Sequence, residues 1–374
     1  MSESPETVVI VGAGIVGSAL AYFLSQSPTR RNIKIIDRSF SPLLGSTGHA
    51  PGFVGQFNES EVLSKLAIDT VAEYTKIPGG FDTVGGLEVA FESDGIERLK
   101  SRCADAAKLG LSAKMLSIEE AHNLAPELVN ETGPGAAVFF SSDGEVKKLV
   151  ISKGRATGVE LGQDSTERLD ADKVILTTGI WAQDLDKDLD FPVPVIPVGH
   201  PYMYGKTRAK NARKLPFVRW PEHHVYARDH GERYGIGSYH HEPVKCKATN
   251  NTAIGEWIQD FKQPLKFATG LLPPAATEEF KDGESFNGIF SMTPDNMPLA
   301  GTVTSLPGLY MGVAIWVTQA AGTAKFLTRL IDGLNVDQQT KEALDPERFR
   351  GQDFAALEEK SLQGYNSIYK TVGK

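Results

Sequence analysis

Residues 7–37, TVVIVGAGIVGSALAYFLSQSPTRRNIKIID, decide the fold. They begin with a short apolar run rich in β-branched residues, which predicts a strand. A GxGxxG segment with Gly12, Gly14 and Gly17 follows, and after it apolar residues recur at helical spacing. A second β-branched run ends in Asp37. This order of strand, glycine loop, helix, strand and acid predicts a βαβ unit that binds a dinucleotide.

The residues of this motif each have a physical role. Gly12 permits the tight turn, Gly14 lets backbone amides approach a pyrophosphate, and Gly17 lets the helix pack closely on the strand. The helix N-terminus then faces the phosphates. Asp37 is placed to accept a hydrogen bond from an adenosine ribose hydroxyl, which favours FAD or NAD over NADP. Glycine loops also occur as plain turns, but the flanking strands and the acid favour the nucleotide site.

The length and composition are those of an ordinary globular protein. A chain of 374 residues suggests about two domains. A hydrophobic content of 41% with 23% charged residues excludes a largely disordered chain. The 39 basic and 47 acidic residues give a net charge of −8 without a basic run, so nucleic acid is not an expected partner.

No membrane or export signal is visible in the sequence. No apolar stretch reaches the roughly 18 residues that span a bilayer, and the start MSESPET lacks a basic region. We therefore expect a cytoplasmic protein without membrane contact, whose partner is a small molecule. The sequence leaves the oligomeric state open.

Histidine doublets at 223–224 and 240–241 invite a metal-binding interpretation. Neighbouring residues of a strand point to opposite faces, so a doublet cannot direct both imidazoles to one ion. The two cysteines, Cys103 and Cys246, have no CxxC spacing either. The sequence therefore predicts no metal site, and it favours solvated surface histidines and a reducing compartment.

Segments outside the βαβ unit favour FAD over NAD. An NAD dehydrogenase would continue its βα alternation after Asp37, whereas this chain enters a glycine- and serine-rich loop that contains His49. Near the other end, residues 286–301 and 306–333 predict a second glycine-marked strand and helix. Two remote glycine-rich segments suit a long dinucleotide that spans the protein, as FAD does.

Several segments together carry a family resemblance: GAGIVGSALAYFL, GSTGHAPGFVGQFN, VGGLEVA, ERYGIGSYHHEP and FNGIFSMTPDNMPLAG with AIWVTQAAG. On them the sequence resembles the D-amino-acid-oxidase superfamily of FAD-dependent oxidoreductases, and within it the dimethylglycine oxidase and dehydrogenase and sarcosine dehydrogenase group. The resemblance implies an α/β fold with an FAD-binding Rossmann-type domain assembled from both chain ends. A mixed or antiparallel sheet would form a second domain for substrate.

The domain ranges follow from this resemblance. We expect an FAD-binding domain at residues 1–80, 140–190 and 286–335. A substrate domain is expected at 81–139 and 191–285. Residues 336–374 would form a C-terminal tail that packs on the FAD domain. Relatives insert a helix and a strand after Val146, whereas here only KK precedes LVISKGRATGVEL. A parallel crossover needs about a dozen residues or more. One helix and one strand of the FAD domain are therefore expected to be missing.

The resemblance also implies which residues contact the cofactor. The histidine of the family's HAPG segment carries the flavin covalently, which assigns the attachment to His49. A neutral imidazole nitrogen is a suitable nucleophile toward the flavin's 8α carbon. Further cofactor contacts are expected at Gly179, Trp316 and Thr318.

Short extended runs with proline from residue 191 onwards predict the antiparallel sheet of the substrate half. In the related enzymes this sheet holds a His and a Tyr over the reactive ring, and the resemblance assigns these to His200 and Tyr226. Oxidation of an N-methyl amine requires a free nitrogen lone pair, so His200 would take the ammonium proton and Tyr226 would orient the amine. Tyr239 is a weaker third candidate.

The implied reaction is oxidative demethylation of an N-methylated glycine derivative, such as dimethylglycine or sarcosine, by hydride transfer to flavin N5. Arg228 is a candidate for the substrate carboxylate, although a surface ion pair with Asp229 or Glu232 is the commoner fate of such an arginine. Two alternatives stay open. The chain oxidises another secondary amino acid or amine by the same chemistry, or it binds flavin with catalysis impaired by the internal deletion.

Overall fold

A computed structural model describes residues 5–146 and 171–369. The strands within these ranges are β1 (Glu6–Val11), β2 (Arg31–Ile36), β3 (Phe53–Val54), β4 (Phe81–Asp82), β5 (Gly86–Ala90), β6 (Ala113–Ser117), β7 (Ala136–Phe140), β8 (Gly144–Val146), β9 (Lys173–Leu176), β10 (Ile196–Tyr204), β11 (Phe217–Trp220), β12 (Val225–Asp229), β13 (Tyr234–Ser238), β14 (Ile254–Gly255), β15 (Glu284–Met292), β16 (Leu299–Thr302) and β17 (Leu309–Val313). The α-helices there are α1 (Ile15–Gln26), α2 (Ser46–His49), α3 (Glu61–Tyr74), α4 (Ser93–Lys108), α5 (Ile118–Leu124), α6 (Lys262–Thr269), α7 (Pro274–Glu279), α8 (Ala320–Ile331), α9 (Gln338–Leu344) and α10 (Phe354–Tyr365). Short 3-10 helices cover Gly179–Asp188, Pro221–His223 and Gln259–Phe261.

The predicted βαβ unit forms one side of a five-stranded sheet with the order β16-β17-β9-β1-β2. Strand β1 pairs in parallel with both β2 and β9, and the glycine loop leads from β1 into α1. Val8, Val9 and Ile10 of β1 are all buried, because an interior strand that pairs in parallel on both sides is covered on both faces. The strand, glycine loop, helix and strand predicted from residues 7–37 are confirmed.

The late part of the chain completes this sheet. Strand β17 pairs in parallel with β9, and α8 packs on α1 and α3. A Cβ at Gly322 of α8 would lie 2.1 Å from the carbonyl oxygen of Leu66 in α3, so only glycine allows this close crossing. The prediction that a Rossmann-type sheet is assembled from both chain ends is confirmed.

The second sheet has nine strands in the order β14-β15-β10-β13-β12-β11-β5-β7-β6. Its pairs are antiparallel except for the parallel pair of β11 and β5, so the predicted mixed sheet is confirmed. Its longest ladder joins β10 and β15, from Ile196 opposite Met292 to Tyr204 opposite Glu284. The domain boundary predicted at residue 286 therefore falls within β15, and the domain ranges stay a prediction.

A small sheet with the order β3-β8-β4 lies beside the two large ones. Strand β8 ends at Val146. The helix and strand predicted to be missing after Val146 concern residues 147–170, which lie outside the described residues.

The C-terminal helices contact both large sheets. Leu344 of α9 is buried with residues of β1 and β9, whereas Tyr365 of α10 is buried against β10 and β15. The tail predicted to pack on the FAD domain thus also covers the nine-stranded sheet. None of the helices in the described ranges has the length and apolar character needed to cross a bilayer.

Candidate active site

A cavity of about 580 Å³ lies between the two large sheets. Its volume is within the range of about 300–1,000 Å³ that is usual for ligand sites. The predicted site residues that line it are Gly12, Gly14, Asp37, His49, Gly179, His200, Tyr226, Tyr239, Trp316 and Thr318. Of the predicted cofactor residues, Gly17 does not line the cavity. The fold thus brings residues from both chain ends and from the mixed sheet to one place.

The glycine loop is shaped by close backbone contacts. Gly12 has a φ of 110°, and a Cβ there would lie 2.4 Å from the carbonyl oxygen of Thr177, so this position requires glycine. A Cβ at Gly17 would lie 2.0 Å from the carbonyl oxygen of Gly12, which fixes how closely α1 approaches the loop. Gly14 differs, because its φ is −65° and its Cβ would meet only Thr47 Oγ1, at 3.2 Å. Gly14 therefore keeps space open at the start of α1.

Asp37 holds the glycine loop against the end of β2. Its Oδ2 accepts a hydrogen bond from the Ala13 amide at 2.6 Å, and its Oδ1 accepts one from the Ser39 amide at 3.0 Å. An ionised carboxylate has about four acceptor sites, so two stay available for a ribose hydroxyl. The amide of Ile15, in the first turn of α1, donates to Thr47 Oγ1 at 3.0 Å.

These residues fit an adenine dinucleotide. The N-cap residue Gly14 places no side chain at the start of α1, so the positive dipole end of the helix can face a pyrophosphate. Asp37 would hold the adenosine ribose. The rest of the cavity extends from there past His49 and Trp316 to the nine-stranded sheet, which leaves room for the remainder of a long dinucleotide.

His49 is the last residue of the short helix α2 and is half-buried. Its Nδ1 lies 3.0 Å from the carbonyl oxygen of Gly45. A carbonyl only accepts hydrogen bonds, so Nδ1 carries the proton and Nε2 keeps its lone pair. A Cβ at Gly48 would lie 2.2 Å from the carbonyl oxygen of Leu43, so glycine lets α2 fold tightly here. The helix thus presents a nucleophilic nitrogen at the cavity.

The segment between β17 and α8 covers another side of the cavity. Ala314 has a φ of 55°, an unusual conformation for a non-glycine residue that clusters at functional sites. The indole Nε1 of Trp316 donates to the carbonyl oxygen of Ser291 at 3.3 Å, which ties this segment to β15. Thr318 lines the cavity beside it. No sequence signal indicates the conformation of Ala314.

A row of residues crosses the nine-stranded sheet on the side of the cavity. Arg219 of β11 has Glu88 of β5 opposite it on one side and Tyr226 of β12 on the other. Gly237 of β13 is in turn opposite Tyr226. Residues directly opposite each other point to the same face, with Cβ atoms about 5 Å apart. A Cβ at Gly237 would lie 2.4 Å from the Tyr226 ring, so glycine makes room for the phenol. Gly237 is in turn opposite Tyr202 of β10.

His200 precedes Tyr202 by two residues, so it lies on the same face of β10. Its Nε2 is 2.7 Å from the hydroxyl oxygen of Tyr226, and its amide donates to Asn287 Oδ1 at 2.9 Å. The side chain is buried, and this burial lowers the pKa of His200 well below its usual 6.5. Burial raises the pKa of Tyr226 well above 10. The two predicted catalytic residues form a neutral hydrogen-bonded pair.

Two further residues continue from His200, and sequence reasoning missed both. The Nδ1 of His200 is 2.6 Å from the hydroxyl oxygen of Tyr365, and that oxygen is 2.8 Å from Nε2 of His241. The interpretation of His241 as a solvated surface histidine is wrong, because it is half-buried and bonded to α10. His240, its neighbour, is exposed as expected. Tyr365 belongs to a helix whose position is set by tertiary packing, and no local pattern marks it.

Arg228 does not line the cavity. It is buried, its Nη2 donates to Glu145 Oε2 at 2.7 Å, and its Nη1 contacts the carbonyl oxygen of Pro51. Both interpretations of this residue are therefore wrong, since it contacts neither the cavity nor a surface acid. Asp229 pairs with Arg208 instead, at 2.7 Å.

Arg219 lines the cavity, as Arg38 and Arg102 also do, and sequence reasoning missed it. Its Nη2 donates to Glu88 Oε1 at 2.5 Å, and Arg102 Nε donates to Glu88 Oε2 at 2.6 Å, so two guanidinium groups share one buried carboxylate. The Nε of Arg219 is buried without a hydrogen-bond partner among the described residues. A buried donor without a partner costs about 1–3 kcal/mol. The signal in the sequence is one arginine within the apolar strand FVRW.

A long cavity between a dinucleotide-binding unit and a mixed sheet is the arrangement of an enzyme that brings a bound dinucleotide against a substrate. The identity of this dinucleotide follows from the protein family to which the sequence belongs. Residues 7–330 match the family described as FAD dependent oxidoreductase, so the chain belongs to this family. The oxidoreductase class and the use of FAD expected from the sequence motifs are confirmed.

Curated relatives are distant. Rat dimethylglycine dehydrogenase is 23% identical over 86% of this chain and 42% of its own length. The 4-methylaminobutanoate oxidase (formaldehyde-forming) of Paenarthrobacter nicotinovorans is 23% identical over 92% of this chain and 45% of its own length. The chain thus spans less than half the length of these relatives.

Solved structures share the fold over nearly the whole chain. L-proline dehydrogenase from P. horikoshii superposes with a TM-score of 0.76 at 18% identity, covering 92% of this chain and 98% of its own. Glycine oxidase from Bacillus cereus ATCC 14579 superposes with a TM-score of 0.69 at 18% identity, covering 91% of this chain and 98% of its own. These similarities support the α/β architecture described above.

Proposed function

We propose that this chain oxidatively demethylates an N-methylated amino acid of dimethylglycine or sarcosine type. The observation that carries the proposal is the cross-strand pair of Arg219 and Tyr226, which offers a guanidinium and a phenol side by side at one cavity. Support comes from two relatives at 23% identity, whose names specify dimethylglycine and 4-methylaminobutanoate. Both names describe a methylated amine that also carries a carboxylate.

Arg219 binds the carboxylate of the substrate. Its guanidinium group belongs to a residue that lines the cavity, and a guanidinium there can make charge-assisted hydrogen bonds to an anion. Such bonds contribute about 1.5–3 kcal/mol each when the partner is charged. Because Arg219 and Tyr226 are directly opposite on adjacent strands, a short amino acid suffices to reach from one to the other.

Aromatic side chains surround the position of the amine. Tyr226, Tyr239 and Phe290 pack around His200, with ring centroids 4.6–5.7 Å from its imidazole. Trp316 packs edge-on against Phe290, at 5.4 Å between centroids. Methylated ammonium groups bind well to aromatic faces through cation–π interactions, so this environment suits an N-methylated substrate.

FAD, when bound, supplies a ring that accepts a hydride from the carbon next to the amine. The protein's part is to hold the amine in place and to take its ammonium proton, because only the neutral nitrogen can supply electrons to the developing imine. Tyr226 accepts a hydrogen bond from the amine, and His200, kept neutral by burial, supports the phenol. Attachment of the cofactor is proposed at His49 Nε2, the nitrogen that the Gly45 contact leaves free.

The test is anaerobic reduction of the purified yellow protein with dimethylglycine, sarcosine, proline and N,N-dimethylaminoethanol, followed by loss of flavin absorbance. We expect rapid bleaching by the two methylated amino acids and slow bleaching by dimethylaminoethanol, which has no carboxylate for Arg219. Faster bleaching by proline would favour the alternative of another secondary amino acid. No bleaching by any amine would favour a flavin-binding protein without catalysis.

We further propose a cytoplasmic location and a small-molecule amine as partner. The composition supports both, since two cysteines without CxxC spacing suit a reducing compartment and the sequence has no basic run for nucleic acid. Fractionation of cells followed by immunodetection tests the location. Recovery of the protein in a membrane or organelle fraction would contradict it.

A further inference from the structure

A chain of four hydrogen-bonded side chains leads from the cavity toward the surface. Tyr226 bonds to His200 at 2.7 Å, His200 to Tyr365 at 2.6 Å, and Tyr365 to His241 at 2.8 Å. The first two are buried and line the cavity, the third is fully buried, and the last is half-buried. His241 Nδ1 ends the chain on the carbonyl oxygen of Glu242 at 2.8 Å.

That carbonyl gives every hydrogen bond of the chain its direction. The Glu242 oxygen only accepts, so His241 carries its proton on Nδ1, and its Nε2 must accept the Tyr365 hydroxyl proton. Since the Tyr365 hydroxyl has one proton, its oxygen accepts from His200 Nδ1. His200 Nε2 then accepts from the Tyr226 hydroxyl. The Tyr226 oxygen is left with a lone pair for a proton from the cavity.

We propose that Tyr226, His200, Tyr365 and His241 form a directed relay that carries the ammonium proton of the substrate to the protein surface. The proposal rests on the proposed function in one respect, namely that the substrate is an amine that binds protonated. It adds Tyr365 and His241, which touch neither substrate nor cofactor and act through His200.

The proton balance of the relay is complete. The substrate N–H bond breaks as its proton binds the Tyr226 oxygen, and the Tyr226 hydroxyl proton moves to His200 Nε2. The His200 Nδ1 proton moves to the Tyr365 oxygen, and the Tyr365 proton moves to His241 Nε2. The substrate thus loses one proton and His241 gains one. Release of one proton from His241 to water restores its neutral form. Rotation of the two hydroxyl groups and tautomerisation of His200 then return the relay to its starting direction, and no electron moves along it.

The far end of the relay is held in place by helix α10. The Asn366 side chain, at the C-terminal end of α10, donates to the carbonyl oxygens of Tyr239 and His241 at 2.8 and 2.9 Å. The His241 ring packs on Phe261, with 4.6 Å between centroids. These contacts keep the donor and acceptor atoms within hydrogen-bond distance, which a relay requires.

The surroundings of His241 favour release of the proton. Burial lowers the pKa of His241 below 6.5, the Glu242 carbonyl raises it, and His240 lowers it. The titratable groups that face the buried part of the relay include Tyr202, Tyr239, Tyr369 and Cys246. The positive charge of Arg219 lowers the pKa of both Tyr239 and Tyr369, against the effect of burial, which raises it. A protonated His241 is therefore a transient form at neutral pH.

The first test measures the direction of the hydrogen bonds. Two-bond ¹⁵N–¹H correlation spectra of FAD-loaded protein with ¹⁵N-labelled histidine identify the protonated ring nitrogen of each histidine, with His200→Asn and His241→Asn providing the assignments. We expect both residues to carry the proton on Nδ1. Tyr365→Phe should shift the resonances of both rings, whereas Tyr234→Phe, on the other face of the same sheet, should not. A proton on Nε2 of His200 in the wild-type protein would overturn the relay.

The second test measures how flavin reduction depends on pH. In Tyr365→Phe we expect the anaerobic reduction rate to fall by about tenfold or more below the pKa of the substrate amine and to stay near the wild-type rate above it. A merely structural loss would lower the rate equally at all pH values, and this outcome would overturn the relay. Tyr234→Phe is the matched control. Absence of reduction by every amine would overturn the proposed function itself, whatever the histidine spectra show.

Discussion

At the scale of single residues, Arg219 and Tyr226 determine the distance between the two ends of the proposed substrate. They face each other across β11 and β12, and both residues line the cavity. Motifs predicted Gly12, Asp37 and His49, because a local backbone shape or a short segment identifies such residues. They did not predict Arg219, since its neighbour Glu88 is 131 residues away in the chain.

Arg219→Gln should raise KM for dimethylglycine by about tenfold or more, because it removes a charge-assisted hydrogen bond worth about 1.5–3 kcal/mol. The rate with dimethylaminoethanol, which lacks the carboxylate, should hardly change. Steady-state kinetics with both substrates measures the difference. The control Arg233→Gln removes a half-exposed arginine remote from the cavity. Equal losses for both substrates in Arg219→Gln would assign the residue to folding rather than to substrate binding.

His200 should make the stability of the protein sensitive to acid. Burial lowers the pKa of His200 well below the ordinary 6.5, to which it returns on unfolding. The unfolded chain therefore binds more protons as the pH falls below about 6.5, and the free energy of unfolding decreases there. Above that pH both states are neutral at this site, so no dependence is expected from it.

His200→Asn should accordingly flatten the decline of Tm at acidic pH. Part of the decline should persist, because burial also lowers the pKa of His230 well below 6.5. Thermal melts between about pH 4.5 and 8 measure this, with the exposed His240→Asn as control. An unchanged decline in His200→Asn would mean that the buried imidazole is protonated in the folded state.

At the scale of elements, the parts that the sequence predicts well are the ones built from short-range order. The run from β1 through α1 to β2 is continuous in the chain, so its periodicity and glycines suffice. The β10–β15 ladder joins segments some 80 residues apart, and periodicity gives no register for such a pairing. Helix α10 depends on the finished sheet, which is why Tyr365 could not be predicted as a neighbour of His200.

Gly14→Val should abolish FAD binding without unfolding the protein. The φ of −65° suits any residue, and the added side chain would fill the space at the start of α1 where a pyrophosphate is expected. Gly270→Val is a matched control, because Gly270 has a φ of −67° and a nearest Cβ contact of 3.2 Å but is exposed and remote from the cavity. The ratio of flavin to protein absorbance after purification measures binding, and circular dichroism monitors folding. Full flavin content in Gly14→Val would contradict the proposed pyrophosphate position.

At the scale of the whole molecule, the cavity lies between two sheets that are each assembled from distant segments. Residues of β1 and α2 line one side, and residues of β10, β12 and β15 line the other. A ligand that fills this space contacts both sheets at once, so it stabilises their arrangement by an amount that grows with its concentration relative to Kd. Attachment at His49 would make this stabilisation permanent, because the cofactor could not dissociate on dilution.

His49→Ala separates these two effects. In the wild-type protein, acid precipitation should leave the yellow colour with the polypeptide, and Tm should not change when FAD is added or removed. In His49→Ala the colour should pass into the supernatant, and Tm should rise with FAD concentration. At 100 times Kd, bound FAD should add about 2.7 kcal/mol to the free energy of unfolding. The imidazole is half-buried at the end of the short helix α2, so the fold should survive its loss. Release of the flavin from the wild-type protein in acid would show that His49 only lines the cavity. A Tm of His49→Ala that does not change with FAD concentration would mean that the cofactor does not hold the two sheets together.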